Sequence, residues 1–380
     1  MLQIAHQRFT GQECGRCCRR FLVPVTPLEI EAIAKLPWPT GERPTRDFYC
    51  SIHGHAFFRH DAHTGDCVYL DEHSHCRMHA VFGAKCKALS CRAYPFEFLA
   101  TFPGEVTTAA RYDGPAVLHN FGHSAERHRQ NLEEILQDSQ LHLGKGFTTE
   151  ELDGLTRESI LALCEFLRKS ILDPDLPVNA LRELVRRLER LGRPFVNDLE
   201  TLKTVLPSMR DKALRETPPD TPGRTWPERI RIRSKILNCL RYDCQTGDFS
   251  WRMRLRQATL AMKLFMGHGN PRDFGSQQPD SPFAKARIFD KKTWSTPVLP
   301  EVWDSLRRCL ATRLESLQFF GRAYYGATFF KGLDELLETA DDALALARLH
   351  AAATHLGNLE PADGDYAVAL IDHCHGKISN

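Results

Sequence analysis

Apolar residues recur at helical spacing through most of the chain beyond residue 128. Leu181, Leu184, Val185, Leu188 and Leu191 fall three or four apart, as do Val302, Leu306, Leu310, Leu314 and Leu317 after Pro300. Such spacing places each set on one helix face. Leu333 to about Leu356 predicts another helix with Gly357 as its C-cap. Phe147-Thr148-Thr149-Glu150-Glu151-Leu152 predicts a helix start, with Thr148 as N-cap, Glu151 closing a capping box, and Phe147 and Leu152 as the staple.

The first 125 residues follow a different pattern. Phe21-Leu22-Val23 predicts a short strand. Thr26, Pro27 and Glu29 predict a capped helix stapled by Val25 and Ile30 that ends before Pro37-Trp38-Pro39. Residues 50–79, rich in His, Cys, Asp and Gly, read as loop. Phe96–Phe102, Pro103-Gly104 and Val106–Tyr112 predict two strands and a tight turn. Tyr94-Pro95-Phe96 ends the preceding cysteine loop and seats the first of these strands. Residues 216–227 and 267–282 are polar connectors rich in proline and glycine. The expected fold is therefore α+β. A small cysteine-rich metal-binding module with a short antiparallel hairpin (residues 1–125) precedes a mainly α-helical domain (residues 126–380).

Composition narrows the function classes. With 380 residues, 42% apolar and 26% charged, the chain can bury a core without covalent staples. Its net charge of +2 exerts no global pull toward nucleic acid or anionic membrane. Residues 182–256 hold 18 Lys and Arg against 10 Asp and Glu, a local excess of eight. Within them Arg229-Ile230-Arg231-Ile232-Arg233-Ser234-Lys235, with Arg252, Arg254 and Arg256, reads as a solvated helix face or as a surface for an anionic partner. Aromatic residues are not interleaved there, which argues against nucleic acid. No stretch approaches the roughly 18 uninterrupted apolar residues of a membrane span. The first nine residues lack the apolar core and small-residue cleavage site of a secretory signal, so a cytoplasmic location is expected.

Eight of the thirteen cysteines lie between Cys14 and Cys91. Clustered thiols make disulfides, a metal site or a redox pair. In a reducing compartment metal binding is the favoured reading, and an odd number leaves one thiol over in any all-disulfide scheme. Cys14-Gly15-Arg16-Cys17 supplies a tight two-ligand turn, with Cys18 adjoining it. Cys67, Cys76, Cys86 and Cys91 are spaced too widely for a second such turn and must converge by folding. The candidate metal ligands are Cys14, Cys17, Cys18, Cys67, Cys76, Cys86 and Cys91. Zinc and iron–sulfur clusters both take such thiolates, and spacing alone leaves the two open.

Phe9 to Cys18, then Cys67-Val68-Tyr69-Leu70-Asp71, Cys76-Arg77-Met78-His79 and Cys91-Arg92-Ala93-Tyr94-Pro95-Phe96, occur in order. Together they resemble the CxxCxxCC cysteine-cluster family over about residues 9–100. That family is described as zinc- or iron-chelating and includes flagellin lysine-N-methylases. Gly11 stands where the family has its first cysteine, so a ligand is lost or replaced, with Cys86 or Cys50 as candidates. Gly321 to Gly332 and the segment around Ile371-Asp372-His373 are faintly similar to the methylase branch, which also carries a long helical C-terminal region. The resemblance implies a 4Fe-4S cluster or zinc, S-adenosylmethionine as methyl donor and a protein lysine, as on flagellin, as acceptor. The alternative is a non-catalytic, zinc-stapled protein-binding module.

The remaining candidates have plainer accounts. The Cys-x3-Cys-x2-Cys motif of radical enzymes is absent, and no Gly-x-Gly-x-x-Gly follows a predicted strand. Gly267-His268-Gly269 reads as loop. His53, His55, His60, His63, His73, His75 and His79 crowd the cysteine region; each is a metal-ligand candidate or an ordinary surface histidine, and His79 is also placed to orient a thiolate. Tyr324 and Tyr325 have faces suited to a methylammonium group but also suit helix packing. Cys164, Cys239, Cys244 and Cys309 sit in helical patterns as small core residues. Asp372-His373-Cys374-His375 has the composition of a nucleophile site, yet adjacent residues do not present triad geometry.

Overall fold

The computed structural model describes residues 1–40, 47–52, 54–61, 64–138, 143, 146–176, 178–191, 193–217, 300–354 and 358–374, with single positions at 251, 255, 258, 259 and 262. The basic stretch at 229–235, Arg252, Arg254, Arg256, the 267–282 connector, Cys239, Cys244, His53, His63, His375 and Gly357 lie outside them, as do most of residues 216–227.

The chain is mixed α+β, with small sheets attached to a helical body. Strand β1 (Leu2–Ile4) pairs in parallel with β6 (Val106–Ala110), which pairs antiparallel with β5 (Phe96–Ala100). The expected hairpin is thus present, and a parallel strand from the amino terminus extends it. Strand β2 (Arg8–Phe9) pairs with β7 (His123–Ser124). Residues 50–79, expected as loop, contain a second hairpin, β3 (Tyr49–Ile52) and β4 (His55–Phe58). Ala56 and Phe58, two apart, turn to the small core on this hairpin, and polar neighbours had masked the alternation.

Helix α1 (Arg16–Arg20) is one short turn, entered through Gly15 at φ 65°. A Cβ on Gly15 would lie 2.9 Å from Ser74 Cβ, so glycine serves both the left-handed backbone and the close approach. Phe21 to Val23, expected as a strand, forms none; the chain meets β4 only at the Pro24–Phe57 bridge, where Phe58 N donates to Val23 O at 2.9 Å. Helix α2 (Pro27–Ala34) has the predicted capping box: the Thr26 hydroxyl accepts from Glu29 N, and the Glu29 carboxylate accepts from Thr26 N at 2.7 Å. Short helices α3 (Arg77–Phe82) and α4 (Leu89–Ala93) carry the chain into β5. Val25, Ile33, Phe48, Phe58, Cys67, Tyr69, Met78 and Ala88 form one small core among these elements.

A larger core gathers the helices beyond α5 (Pro115–Leu118) and α6 (Arg129–Asp138). It joins α7 (Arg157–Leu172), α8 (Val178–Leu191), α9 (Arg193–Asn197), α10 (Leu199–Glu216), α11 (Asp304–Glu315), α12 (Phe329–Thr354) and α13 (Pro361–Cys374). Leu2, Phe96, Ala110 and Tyr112 from the three-stranded sheet belong to this core. In α7, buried Ile160, Leu163, Cys164, Leu167 and Ile171 form one apolar stripe.

The Thr148 capping box forms, with Glu151 N bonded to Thr148 Oγ1 at 3.2 Å and Thr148 N to Glu151 Oε2 at 2.7 Å. It closes a turn and not a helix, because Asp153 and Gly154 follow at φ 54° and 73°. Helix α7 begins later, capped by Thr156. Leu317, expected at the end of α11, lies beyond it at φ 57° while still buried. Among the described residues no helix is long and apolar enough to cross a membrane.

Candidate metal centre and adjoining charged network

The first and second cysteine groups are joined by the backbone. Cys67 N donates to the carbonyl of Cys18 at 2.9 Å, which brings a loop forty-nine residues downstream against α1. Cys76 bridges to Leu70 and immediately precedes α3; Cys91 sits on α4. Cys67 is buried within the small core, and Cys18, Cys76, Cys86 and Cys91 pack against it. Cys14 is exposed, its carbonyl accepting from Arg19. Cys50 lies on β3 opposite Phe57. Cys164 and Cys309 are buried among helices, as the pattern predicted.

Five thiols influence one another. The sulfurs of Cys17 and Cys18 are 3.9 Å apart. The hydrogen bond from Cys18 holds the Cys17 thiol down at about 7; burial opposes this and Lys87 assists. The same contact raises Cys18, with burial and the charges of Cys17, Cys67 and Cys91 adding to it. Burial pushes Cys67 up to about 11, a backbone hydrogen bond from Tyr69 opposing, with Cys76 and Cys17 raising it further. Cys91 is driven up to about 12, first by burial, against Lys87, with Cys67, Cys76 and Cys17 adding.

Cys17, Cys18, Cys67, Cys76 and Cys91 therefore share one neighbourhood under the charge of Lys87. The donor chemistry suits a thiophilic centre. Coordination spacing is another matter: among the described residues no group of three or more His, Cys, Asp and Glu side chains is gathered to hold a metal ion. Among the loop histidines, His55, His73, His75 and His79 are exposed, His73 lies 3.6 Å from Glu72 and His75 4.0 Å from Glu13. His60 is half-buried.

A second constellation lies beside the thiols, one that composition alone had not singled out. Arg313, 5% exposed at its side chain, donates to Asp372 Oδ1 at 2.5 Å, Gln318 Oε1 at 2.6 Å and Glu97 Oε2 at 3.3 Å. Asp372 Oδ2 accepts from Tyr112 N at 2.6 Å. Arg111 pairs with Asp113 and stands 3.4 Å from Glu97. Asp113 also meets His373 Nδ1 at 3.2 Å and accepts from the Tyr94 hydroxyl at 3.3 Å. Three carboxylates thus face two guanidiniums and an imidazole; Asp113 and Asp372 are enclosed, and Glu97 is the partly exposed member. Charges buried together raise both arginines despite the desolvation that works against them.

Phe21 connects the two constellations. Its backbone N donates to Cys17 O at 3.1 Å. Its ring stacks on His373, approaches Tyr94 at 5.2 Å and lies under Arg111, 5.3 Å from ring centroid to guanidinium carbon. Asp372 and His373 do not act as adjacent partners in a triad. They reach opposite ways from α13, one to Arg313 and one to Asp113. Tyr324 is buried outside any helix, its hydroxyl pushed up by burial and by Glu335, and Tyr325 is half-exposed beside it at φ 54°.

No family model, no curated protein and no solved structure matches the chain.

Proposed function

We propose that Cys17, Cys67, Cys76 and Cys91, with Cys18 adjoining, hold an inorganic thiophilic centre, zinc or an iron–sulfur cluster. The supporting observation is the packing: Cys67 N is bonded to Cys18 O at 2.9 Å, the Cys17 and Cys18 sulfurs lie 3.9 Å apart, and Cys18, Cys76 and Cys91 pack against the small core that holds Cys67. Cys14 and Cys86 are the outlying members of the candidate set; one is exposed and the other packs at the edge of the small core. A bound centre stabilises the folded state by linkage, since its ligands converge only in that state.

On the resemblance to the cysteine-cluster family, the activity proposed is S-adenosylmethionine-dependent methylation of a protein lysine, with a flagellin-like substrate. Transfer to an amine requires its neutral form, which desolvation favours. The Arg111–Asp113–His373 region adjoining the thiols supplies a low-dielectric setting with polar groups. The second reading is a zinc-stapled module that binds a protein partner without catalysis. It is favoured by the way the buried charges satisfy one another, as in a clamp that fixes the last helix to the cysteine module.

The deciding experiment is purification without oxygen, followed by absorbance and an inventory of iron, sulfide and zinc. The expected result is a stoichiometric metal content, lost in Cys67→Ser and Cys91→Ser but retained in Cys309→Ser. Metal-free wild-type protein, or equal loss in all three variants, overturns the metal reading. A methyl-donor titration of the loaded protein that shows no binding removes the methylase reading and leaves the binding module.

A further inference from the structure

His60 is held like a metal-ligating histidine. Its Nδ1 lies 2.8 Å from the carbonyl of Gly65. A carbonyl only accepts, so Nδ1 carries the proton, and in the neutral ring Nε2 is left as a bare acceptor. Nε2 is buried and has no hydrogen-bond partner. An unsatisfied buried acceptor costs on the order of 1–3 kcal/mol, and folded proteins rarely leave one without use. Metal-bound histidines show the same arrangement, with one nitrogen tied to a backbone carbonyl and the other turned to the ion.

The surrounding chain fixes this posture. Asp61 N donates to Asp66 O at 2.8 Å, and Gly65 N to Asp61 O at 2.9 Å, so the loop folds back and presents the Gly65 carbonyl beneath the ring. Asp61 Oδ1 accepts from Thr64 N at 2.9 Å and tightens the same turn. The return strand then pairs His60 directly with Cys67 in an antiparallel bridge. Residues opposite one another in such a bridge project to the same side, with Cβ atoms about 4.5–5.5 Å apart. His60 and Cys67 therefore project from the same side of that bridge.

We infer that His60 Nε2 is the nitrogen ligand of the centre, and that the centre is a single zinc ion held by His60, Cys67 and two further thiols from Cys17, Cys76 and Cys91. This rests on the metal reading above and extends it by choosing the metal. Zinc accepts mixed imidazole and thiolate ligands at about 2.0–2.3 Å in a tetrahedron, whereas most iron–sulfur clusters take four thiolates. A change of staggered χ1 relocates a cysteine sulfur without moving its backbone, so the sphere can close on metal binding.

Cobalt(II) substitution of the metal-free protein tests this. Wild-type protein is expected to give the visible spectrum of a three-sulfur, one-nitrogen tetrahedral site. His60→Cys should convert it to the four-sulfur spectrum, and His60→Ala should weaken zinc binding at least about ten-fold with circular dichroism unchanged. Nitrogen-15 histidine spectra of the wild type provide a reading free of any folding defect, since the His60 Nε2 resonance should shift on zinc addition while Nδ1 keeps its proton. A four-sulfur spectrum in wild type, or an unmoved Nε2 resonance in protein that binds zinc, overturns the histidine assignment alone. Failure of the wild type to take up cobalt or zinc overturns both that assignment and the metal reading.

Discussion

Phe21 lies nearly flat on His373, with ring centroids 5.1 Å and planes 24° apart. One residue follows the first cysteine helix and the other lies in the last turn of the last described helix, so this stack joins the Asp113–His373 and Tyr112–Asp372 contacts in tying the amino-terminal segment to the C-terminal helices. Phe21→Ala should destabilise the protein by about 2–3 kcal/mol, toward the low end for a large aromatic because the residue is half-buried. The Phe21→Ala, His373→Ala double-mutant cycle should return a coupling of about 0.5–1.5 kcal/mol by denaturant unfolding. Additive effects would mean that the stack transmits nothing.

Asp372 and Arg313 are both almost fully enclosed. Asp372→Asn should cost about 3 kcal/mol, the low end for a broken buried pair, since Arg313 would keep only the partly exposed Glu97 at 3.3 Å as counter-charge and Tyr112 N a weaker acceptor. The double replacement Asp372→Leu, Arg313→Met should recover part of that loss. Urea midpoints at constant m-value are the measure. A double variant less stable than Asp372→Asn would show that the pair itself, and not its disruption, carries the energy.

Gly332 lies inside α12, where helix propensity alone favours alanine by about 1 kcal/mol. A Cβ there would stand 2.2 Å from the Phe319 carbonyl oxygen and 2.7 Å from Phe320 Cβ. Gly332→Ala should therefore lower thermal stability, with backbone clash outweighing propensity. A raised melting temperature would mean that the α12 approach to Phe319 and Phe320 is looser than described.

The buried thiols also set an alkaline limit for metal-free, reduced protein. Burial pushes the folded Cys67 and Cys91 thiols up to about 11 and about 12, above the ordinary thiol value of 9.0 that the unfolded chain approximates. Between these values the folded chain holds more protons than the unfolded one. Their stabilisation is complete below pH 9 and is lost as pH rises toward 12. Cys17 has the opposite sign: its folded value near 7 adds stability that is present above pH 9 and lost as pH falls through 7. Cys18 is raised as well, first by its contact with Cys17, and Cys164 and Cys309 are raised by burial, so the raised thiols outnumber the lowered one and chemical-denaturation midpoints should fall above pH 9. Cys67→Ala with Cys91→Ala should make that fall shallower without abolishing it.

Alkylation provides a separate test of Cys17. Its rate with iodoacetamide in metal-free protein should rise through a midpoint near pH 7, because the thiolate is the nucleophile. Cys18→Ala removes the hydrogen bond that lowers Cys17 and should move the midpoint upward. An unchanged midpoint would show that Lys87, and not Cys18, controls the site.

Local chemistry was readable directly in the sequence. Thr26, Pro27 and Glu29 specify their helix end, Leu181 to Leu188 their buried stripe, and Phe96 to Tyr112 their hairpin, because caps, periodicity and turn residues act within a few positions. Clustered cysteines likewise marked the segment whose Cys18, Cys67, Cys76, Cys86 and Cys91 share one small core. Tertiary structure decided which cysteine segments lie together, through the Cys67–Cys18 backbone bond across forty-nine residues. It also assembled the Arg313–Asp372 and Asp113–His373 pairs, and left the nitrogen of His60 bare. Thr148 shows the limit most plainly, since its box closes as the sequence says but left-handed backbone at Asp153 and Gly154 turns the chain away. Contacts between distant segments depend on loop closure and shared burial, and neither is written into a window of neighbouring residues.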